Sequence, residues 1–420
     1  MEQGSLELTV GPVAHGGWCV ARHEGRVVFV RHALPGERVI AEIIPSEKAE
    51  NARFLRADAV RILEASPDRV TPPCPYAGPG MCGGCDWQHA TLEAQRRLKA
   101  EVVAEQLRRL AKIEREVVVE EVPGAKDGLG WRTRVQFAAR ADGELGFRKH
   151  RSHDVQPVDA CLIAHPEVEA VGAELQNWRG AAGVEVIASS GGNRAVVVTP
   201  RPRRTVTVPD LEAPASILVN QGKGKVEARR GSGMLHEQVG DREFQVSGSG
   251  FWQVHPGAAE TLLEAVLTFA APEPGEWALD LYCGVGLFAA GLAEAVGSSG
   301  AVFGVESEAT AVRDARANLR DLPWATVERG KVEDALDRFQ IERADLVVVD
   351  PPRAGLGREV VDRVASLEAT RVVYVSCDPA TLARDLAWFG DRGYRLADLR
   401  AFDAFPMTHH VECVALLVAR

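Results

Sequence analysis

Cys377 and Glu412 are the side chains of this 420-residue chain whose types and settings suit covalent chemistry. Residues 371–375, Arg-Val-Val-Tyr-Val, form a short β-branched run that reads as a buried strand. That strand delivers Cys377 to its carboxyl end, where Asp378-Pro379 turns the chain into a helix over 380–388. Ligands of a doubly wound α/β sheet sit at this rim. A cysteine there, joined by a glutamate on a later strand, suggests a nucleophile and a proton acceptor. Most lone cysteines are small buried filler. The neighbouring Asp350-Pro351-Pro352-Arg353 and His410-Val411-Glu412 favour the reactive reading.

The elements that must position these groups begin near Phe251, where strands and helices start to alternate, as in a parallel sheet. Residues 277–288 read as strand, glycine loop and helix, with Asp280 at the end of the strand and Gly284-Val285-Gly286 in the loop. A second strand, 302–306, ends in Glu306 about 20 residues on, where an acid can bind a ribose diol. The glycines let backbone approach a ligand. A dinucleotide enzyme prefers a third glycine where this chain has Ala289, so S-adenosylmethionine fits better. Asp334, after the third strand, is then the expected adenine contact. The fourth strand ends in Asp350-Pro351-Pro352-Arg353. Enzymes that methylate amino groups carry an aromatic residue at the last of these positions; Arg353, with Cys377 and Glu412, calls for a different chemistry.

Cys74, Cys82 and Cys85 crowd together, the last two in C-x-x-C spacing around Gly83-Gly84. In a reducing compartment such a cluster suggests metal before disulfide. Two thiolates at this spacing can grip one metal or cluster, and the glycines can turn amides toward sulfur. Cys161 is the best fourth ligand. Zinc is the competing occupant.

Residues 1–64 read as a small all-β module of the OB type, with runs at 6–10, 17–21, 27–30 and 39–43 and one further strand expected after Ile43. Residues 91–113 read as an amphipathic helix, with Leu92, Val103, Leu107 and Leu110 on one face and Glu101, Arg108 and Lys112 on the other. Segments 129–137 and 145–151 form a hairpin around Asp142-Gly143. There Arg132, Arg134, Arg140, Arg148, Lys149 and Arg151 interleave with aromatic residues, a pattern for phosphate contacts and stacked bases. Two more strands, near 184–188 and 195–199, accompany it, and 201–204 and 223–230 are further basic patches. A net charge of -10 argues against a general polyanion binder, so nucleic acid must be met by local patches. No stretch is long and apolar enough to span a membrane. The amino terminus is acidic and no secretory signal, so a cytoplasmic protein is expected.

The whole chain, most specifically 74–89 and 251–420, resembles the TRAM-containing, iron–sulfur branch of the RNA uracil-C5 methyltransferases. The motifs that carry this are Cys82-Gly83-Gly84-Cys85, Phe251-Trp252-Gln253-Val254, Asp280-Leu281-Tyr282-Cys283-Gly284-Val285-Gly286, Asp350-Pro351-Pro352-Arg353-Ala354-Gly355, Val375-Ser376-Cys377-Asp378-Pro379 and Phe405-Pro406-Met407-Thr408-His409-His410-Val411-Glu412. In the first module, Gly25-Arg26-Val27-Val28-Phe29-Val30 and Ala33-Leu34-Pro35-Gly36-Glu37 resemble a TRAM domain, which implies an RNA substrate. The resemblance implies Cys377 as nucleophile and Glu412 as base. It implies Gln253, Tyr282, Glu306 and Asp350 as cofactor-site residues beside Asp280, Gly284 and Asp334, and a 4Fe–4S cluster on Cys74, Cys82, Cys85 and Cys161. Two departures stand out: seven residues separate Cys74 from Cys82 where five are usual, and His255 replaces an asparagine after the Phe-x-Gln motif.

The expected architecture is therefore multidomain. A TRAM/OB-like domain spans 1–64, and a central α+β domain with the cluster and an RNA-binding region spans 65–248. A Rossmann-like class I methyltransferase domain spans 249–420, on which helix 91–113 could pack. The expected reaction makes 5-methyluridine in RNA, ribosomal RNA ahead of transfer RNA, in a monomer. The alternatives are methylation of an exocyclic amine, a radical enzyme (whose C-x3-C-x2-C triplet is absent), and an inactive RNA-binding protein.

Overall fold

The computed structural model describes residues 4–45, 53–222 and 225–420. Lys223, part of one expected basic patch, lies outside them. The amino-terminal module is a sheet of six strands in the order Ser5–Thr9, Arg38–Ile43, Phe54–Glu64, Arg26–Arg31, Trp18–His23, Val13–Ala14. Its alternating apolar residues, among them Leu8, Val28, Val30, Val39 and Ala57, close a small core of their own. The strand expected after Ile43 is Phe54–Glu64.

The carboxyl-terminal sheet has eight strands, in the order Ala325–Arg329, Ala301–Glu306, Trp277–Leu281, Leu346–Val349, Arg371–Ser376, Glu412–Ala419, Tyr394–Asp403, Val119–Glu121. The first five are mutually parallel, and the last three of them, Trp277–Leu281, Leu346–Val349 and Arg371–Ser376, are near-continuously buried, as a sheet covered on both faces demands. Glu412–Ala419 runs antiparallel to Arg371–Ser376, with Ser376 opposite Cys413. This reversal matters most for function. It brings the start of the last strand beside the end of the fifth, so that Glu412 falls opposite Cys377.

Residues 92–121, which the sequence groups with the central segment, join this sheet. The helix Leu92–Gln106 is capped by Thr91 and continues as a wider turn over Leu107–Ala111. Val103, Leu107 and Val119 pack in the core behind the sheet. The expected faces hold at Val103 and Leu107, buried, and at Glu101, Arg108 and Lys112, exposed; Leu110 departs by being exposed, and Gln95 and Lys99 are buried in addition. The reason is polar. Lys99 Nζ donates to Asp403 Oδ1 at 2.5 Å and to the Phe405 carbonyl at 3.0 Å. Gln95 accepts the Met407 N–H at 2.8 Å. Losing one partner of a fully buried ion pair costs roughly 3–5 kcal/mol, so this helix fixes the 403–412 loop.

The central sheet has seven strands in the order Val155–Pro157, Leu145–Arg148, Arg134–Ala139, Ala181–Ala188, Arg194–Pro200, Ser216–Gly222, Lys225–Arg230. The basic segment ending at Arg230 is thus an edge strand, largely exposed. Among the described residues, no helix is long and apolar enough to cross a membrane.

Candidate active site

Cys377 follows the strand Arg371–Ser376 and precedes a helix, Pro379–Asp391, whose start is built by its neighbours. Asp378 accepts the N–H groups of Ala380 and Thr381, both at 2.9 Å, and Pro379 occupies the first helical position. Cys377 is half-buried and Glu412 is 6% exposed. Burial pushes the Cys377 thiol up to about 12, with Glu412 and Asp350 adding to the rise and the Arg353 guanidinium opposing it. Burial, and then Asp350, raise Glu412 well above the ordinary carboxylate range, again against Arg353. One thiol, two carboxyls and one guanidinium therefore share a single field. Arg353 also lies 3.4 Å from His410 Nε2. Its loop is held from behind: buried Asp385 accepts the Leu356 N–H and the Tyr374 hydroxyl, both at 2.7 Å. Gly355, at φ +75°, is required here, since a Cβ would sit 2.5 Å from Asp385 Oδ2.

Acids also gather along the rim toward Trp277–Leu281. Asp280 is fully buried, and neither carboxylate oxygen meets a donor in full hydrogen-bond geometry, although the Ala289 backbone N–H is directed at the group and eases its charge slightly. Burial pushes it up to about 8, with Asp350 and Glu306 contributing, and burial alone lifts Asp350 to about 7. Tyr282 is a non-glycine residue at φ +67°, held by N–H bonds from Tyr282 and Cys283 to the Val305 carbonyl at 2.9 and 3.1 Å. Glu306 accepts the Gly284 N–H at 3.1 Å and the Glu308 N–H at 2.8 Å. Gly284, at φ +54°, has open space where a Cβ would stand. Uncompensated buried carboxylates beside an open glycine cradle fit a cationic ligand carrying an ammonium and a sulfonium.

Asp334 does not join this group. It is exposed on the helix Val332–Arg338, while Glu333, one residue earlier, acts on the Tyr282 hydroxyl. Gln253 is 9% exposed on the segment before Val254, whose carbonyl accepts the Thr133 N–H at 2.8 Å. No hydrogen bond ties Gln253 to Asp280 or Cys377.

Comparison with known proteins identifies the frame around this rim. The TRAM domain model matches residues 4–60, the methyltransferase small domain model 257–366, and the tRNA (uracil-5-)-methyltransferase model 325–420. An uncharacterized RNA methyltransferase of Streptomyces coelicolor is 53% identical, covering 98% of this chain and 92% of that protein. One from Aquifex aeolicus is 33% identical over 99% of both. The chain belongs to the RNA uracil-C5 methyltransferases. A solved structure, the Pyrococcus abyssi tRNA (uracil-54, C5)-methyltransferase in complex with S-adenosyl-L-homocysteine, is 25% identical with a TM-score of 0.74, covering 98% of this chain and 99% of that one.

For this methyltransferase, Asp280→Asn should separate stability from cofactor binding. A group whose folded-state pKa is raised stabilises fully below its ordinary range and loses that contribution as pH rises through about 8. Asparagine mimics the protonated form at every pH. Without ligand, the variant should melt higher than wild type at pH 8, with a smaller difference at pH 5. The rise in melting temperature on adding S-adenosylmethionine should disappear. An undiminished ligand-induced rise would remove Asp280 from the cofactor site.

Cys74, Cys82, Cys85 and Cys161 of the methyltransferase line one cavity of about 260 Å³. The Gly84 N–H points at Cys82 Sγ at 3.4 Å, and Gln88 Nε2 at Cys85 Sγ at 3.2 Å. Burial raises the thiols of Cys82, Cys85 and Cys161, the last to about 12. Among the described residues, no group of three or more His, Cys, Asp or Glu side chains is set to hold a metal ion. Arg132 lines the same cavity, where its charge would favour thiolates at Cys161 and Cys85.

That position corrects the reading of the hairpin. Arg132 faces the cysteines, and buried Arg134 donates to the Gly250 carbonyl at 2.5 Å. Arg140 pairs with Asp142 and Glu144, and Arg201 donates to the Ala139 and Ala181 carbonyls. Trp131 and Phe137 are core residues, Phe137 stacked on Phe147 at 5.0 Å. Arg132 and Arg134 thus turn away from solvent while Arg140, Arg148 and Arg151 stay exposed, so only part of this basic and aromatic composition can form a nucleic-acid face. The sequence carried no signal for His15, whose Nε2 lies 3.2 Å from Asp378 Oδ2, beside Cys377. His409 Nδ1 similarly meets Asp86 at 2.6 Å, and Asp86 meets Arg31 at 3.4 Å. These contacts seat the first module against the active-site loop.

Proposed function

We propose that the protein methylates carbon 5 of a uridine in RNA through a covalent adduct between Cys377 and carbon 6, with Glu412 removing the carbon 5 proton. The observation that carries this is the juxtaposition of Cys377, Glu412, Arg353 and Asp350 at the end of one sheet. Carbon 5 of uracil is too weak a nucleophile to be methylated directly. Cys377 gives up its thiol proton to solvent, the resulting thiolate forms a bond to carbon 6, and the carbon 5–carbon 6 electron pair moves toward carbon 4 and its oxygen as an enolate. Arg353, beside the sulfur, favours the thiolate. S-adenosylmethionine, when bound, supplies an electrophilic methyl group. Once carbon 5 is methylated, Glu412 takes its proton, the pair left behind re-forms the double bond, and the Cys377 thiolate leaves. The base must leave its stack to reach this rim. Asp280, Tyr282, Gly284, Glu306, Asp350 and Gln253 are the side of the site assigned to the cofactor. The exposed Asp334 is a weaker adenine contact than Glu333.

Four thiols on one cavity, N–H groups directed at two of the sulfurs, and a guanidinium lining the wall suit a multi-atom anionic cluster better than a single zinc ion. We assign Cys74, Cys82, Cys85 and Cys161 to a 4Fe–4S cluster that clamps the central segment. Iron and acid-labile sulfide should copurify with the protein under nitrogen and fall in Cys161→Ser. Zinc in their place would overturn the assignment.

The TRAM module with a cysteine-rich segment placed ribosomal RNA first among substrates. The full-length likeness to a tRNA enzyme carries a second reading, transfer RNA, because that layout is then not peculiar to ribosomal RNA. Incubating the protein and S-adenosylmethionine with ribosomal and transfer RNA transcripts, then mapping 5-methyluridine, decides between them. Methyl groups found only on exocyclic amines would defeat the proposal.

A further inference from the structure

Trp18 has three guanidiniums around its ring. The Cζ atoms of Arg31, Arg56 and Arg151 each lie 5.9 Å from its centroid. Arg31 is neutralised by Asp86 at 3.4 Å. Arg56 and Arg151 make no ion pair among the described residues, and the charge acting on Arg56 is the like charge of Arg151. Arg56 also covers Phe54 at 4.8 Å. Phe54 is 38% exposed, and its ring meets Phe29 edge-on at 5.4 Å.

These groups come from separate parts of the chain. Phe54 and Arg56 belong to the amino-terminal module, and Arg151 to an exposed turn of the central segment at φ +53°. Two like charges drawn together without a counter-ion among the described residues repel each other, and the fold retains them over an aromatic floor. An anion that accepts from both guanidiniums relieves that repulsion. The patch also borders the active-site rim. Gly17, next to Trp18, sits so close to His409 that a Cβ would approach its Cβ to 2.9 Å, and His15 reaches Asp378 beside Cys377.

We propose that Arg56, Arg151 and Phe54 hold the single-stranded RNA flanking the target uridine, with backbone phosphates on the two arginines and one unpaired base stacked on Phe54. This rests on the RNA-methyltransferase reading above and adds a location for the strand. Anisotropy of a fluorescein-labelled short single-stranded oligouridylate, titrated with protein at several salt concentrations, tests it. In the double variant Arg56→Gln/Arg151→Gln, the slope of log K against log salt should shrink by about 1.4, near 0.7 for each single-strand phosphate lost. Phe54→Ala should weaken binding about 5- to 150-fold, the range for loss of one stacked base. Both should keep the wild-type melting temperature rise with S-adenosylmethionine. Wild-type slope and affinity in both variants would overturn the proposal, as would failure of the wild type to bind the oligouridylate. If the oligouridylate results hold but no RNA is methylated, the patch stands and the catalytic reading falls.

Discussion

Cys377→Ala should lose RNA methylation by on the order of 10⁴-fold or more, the scale on which covalent mechanisms fail without their nucleophile. The loss should appear in kcat, because the thiol acts on the base after binding. It should leave intact the melting-temperature rise with S-adenosylmethionine, since the uncompensated carboxylate at Asp280 is untouched. A substrate carrying 5-fluorouridine gives the sharper readout. Fluorine cannot leave as a proton, so the wild type should stall as a denaturation-stable protein–RNA adduct after methyl transfer. Cys377→Ala should form none. A variant that still methylates at a wild-type rate, or a wild type that methylates RNA yet never traps on the fluorinated substrate, removes Cys377 from the mechanism. Methylation of an exocyclic amine would then be the reading to pursue.

Glu412→Gln should fail at a different step. Glutamine keeps the shape of the side chain and cannot accept the carbon 5 proton, so turnover should fall by about 10²- to 10⁴-fold, the usual contribution of a positioned base. Addition and methyl transfer precede that step, so an adduct should accumulate on ordinary uridine RNA, without fluorine. The variant should therefore retain one methyl transfer per enzyme while losing multiple turnover. Burial and Asp350 hold Glu412 well above the ordinary carboxylate range in the ligand-free protein. Its deprotonation is therefore costly near neutral pH, and a bound cation lowers that cost. Wild-type turnover should accordingly climb with pH, and Glu412→Gln should lose the part of that rise set by proton removal while keeping, in single turnover, the rise set by ionisation of the Cys377 thiol. Unchanged steady-state turnover in the variant would assign the base elsewhere.

How the cofactor half of the site reads from sequence follows from its being local. A buried strand, a glycine loop and an acid at the next strand's end lie within a few dozen residues of one another, and Gly284 and Glu306 do meet at 3.1 Å. The start of the helix after Cys377 is equally local, because Asp378 caps it with its own side chain. The orientation of the expected adenine contact, Asp334, was not legible in the same way. Asp334 and Glu333 are equivalent in type, and only the rotation of their helix turns Glu333 toward Tyr282.

Long-range pairing decided the rest. Arg132 and Arg134 belong to a basic, aromatic hairpin, yet one faces a cysteine cavity and the other is buried against Gly250. Lys99 looks like a solvated helix charge until Asp403 meets it in the interior. Leu110 looks like core and is exposed, because the wider turn over Leu107–Ala111 shifts it off the buried face that Val103 and Leu107 share.

By itself the sequence determined the family: the motifs around Asp280, Asp350, Cys377 and Glu412 are identities that no packing can supply. Tertiary structure alone decided how these identities are charged and which of the remaining side chains serve them. Antiparallel return of the last strand places Glu412 opposite Cys377. Burial then sets their proton affinities, and docking of the first module brings His15 and Trp18 to the rim. Both depend on partners hundreds of residues away. Side-chain type is a local property of the chain, whereas desolvation and pairing belong to the folded whole.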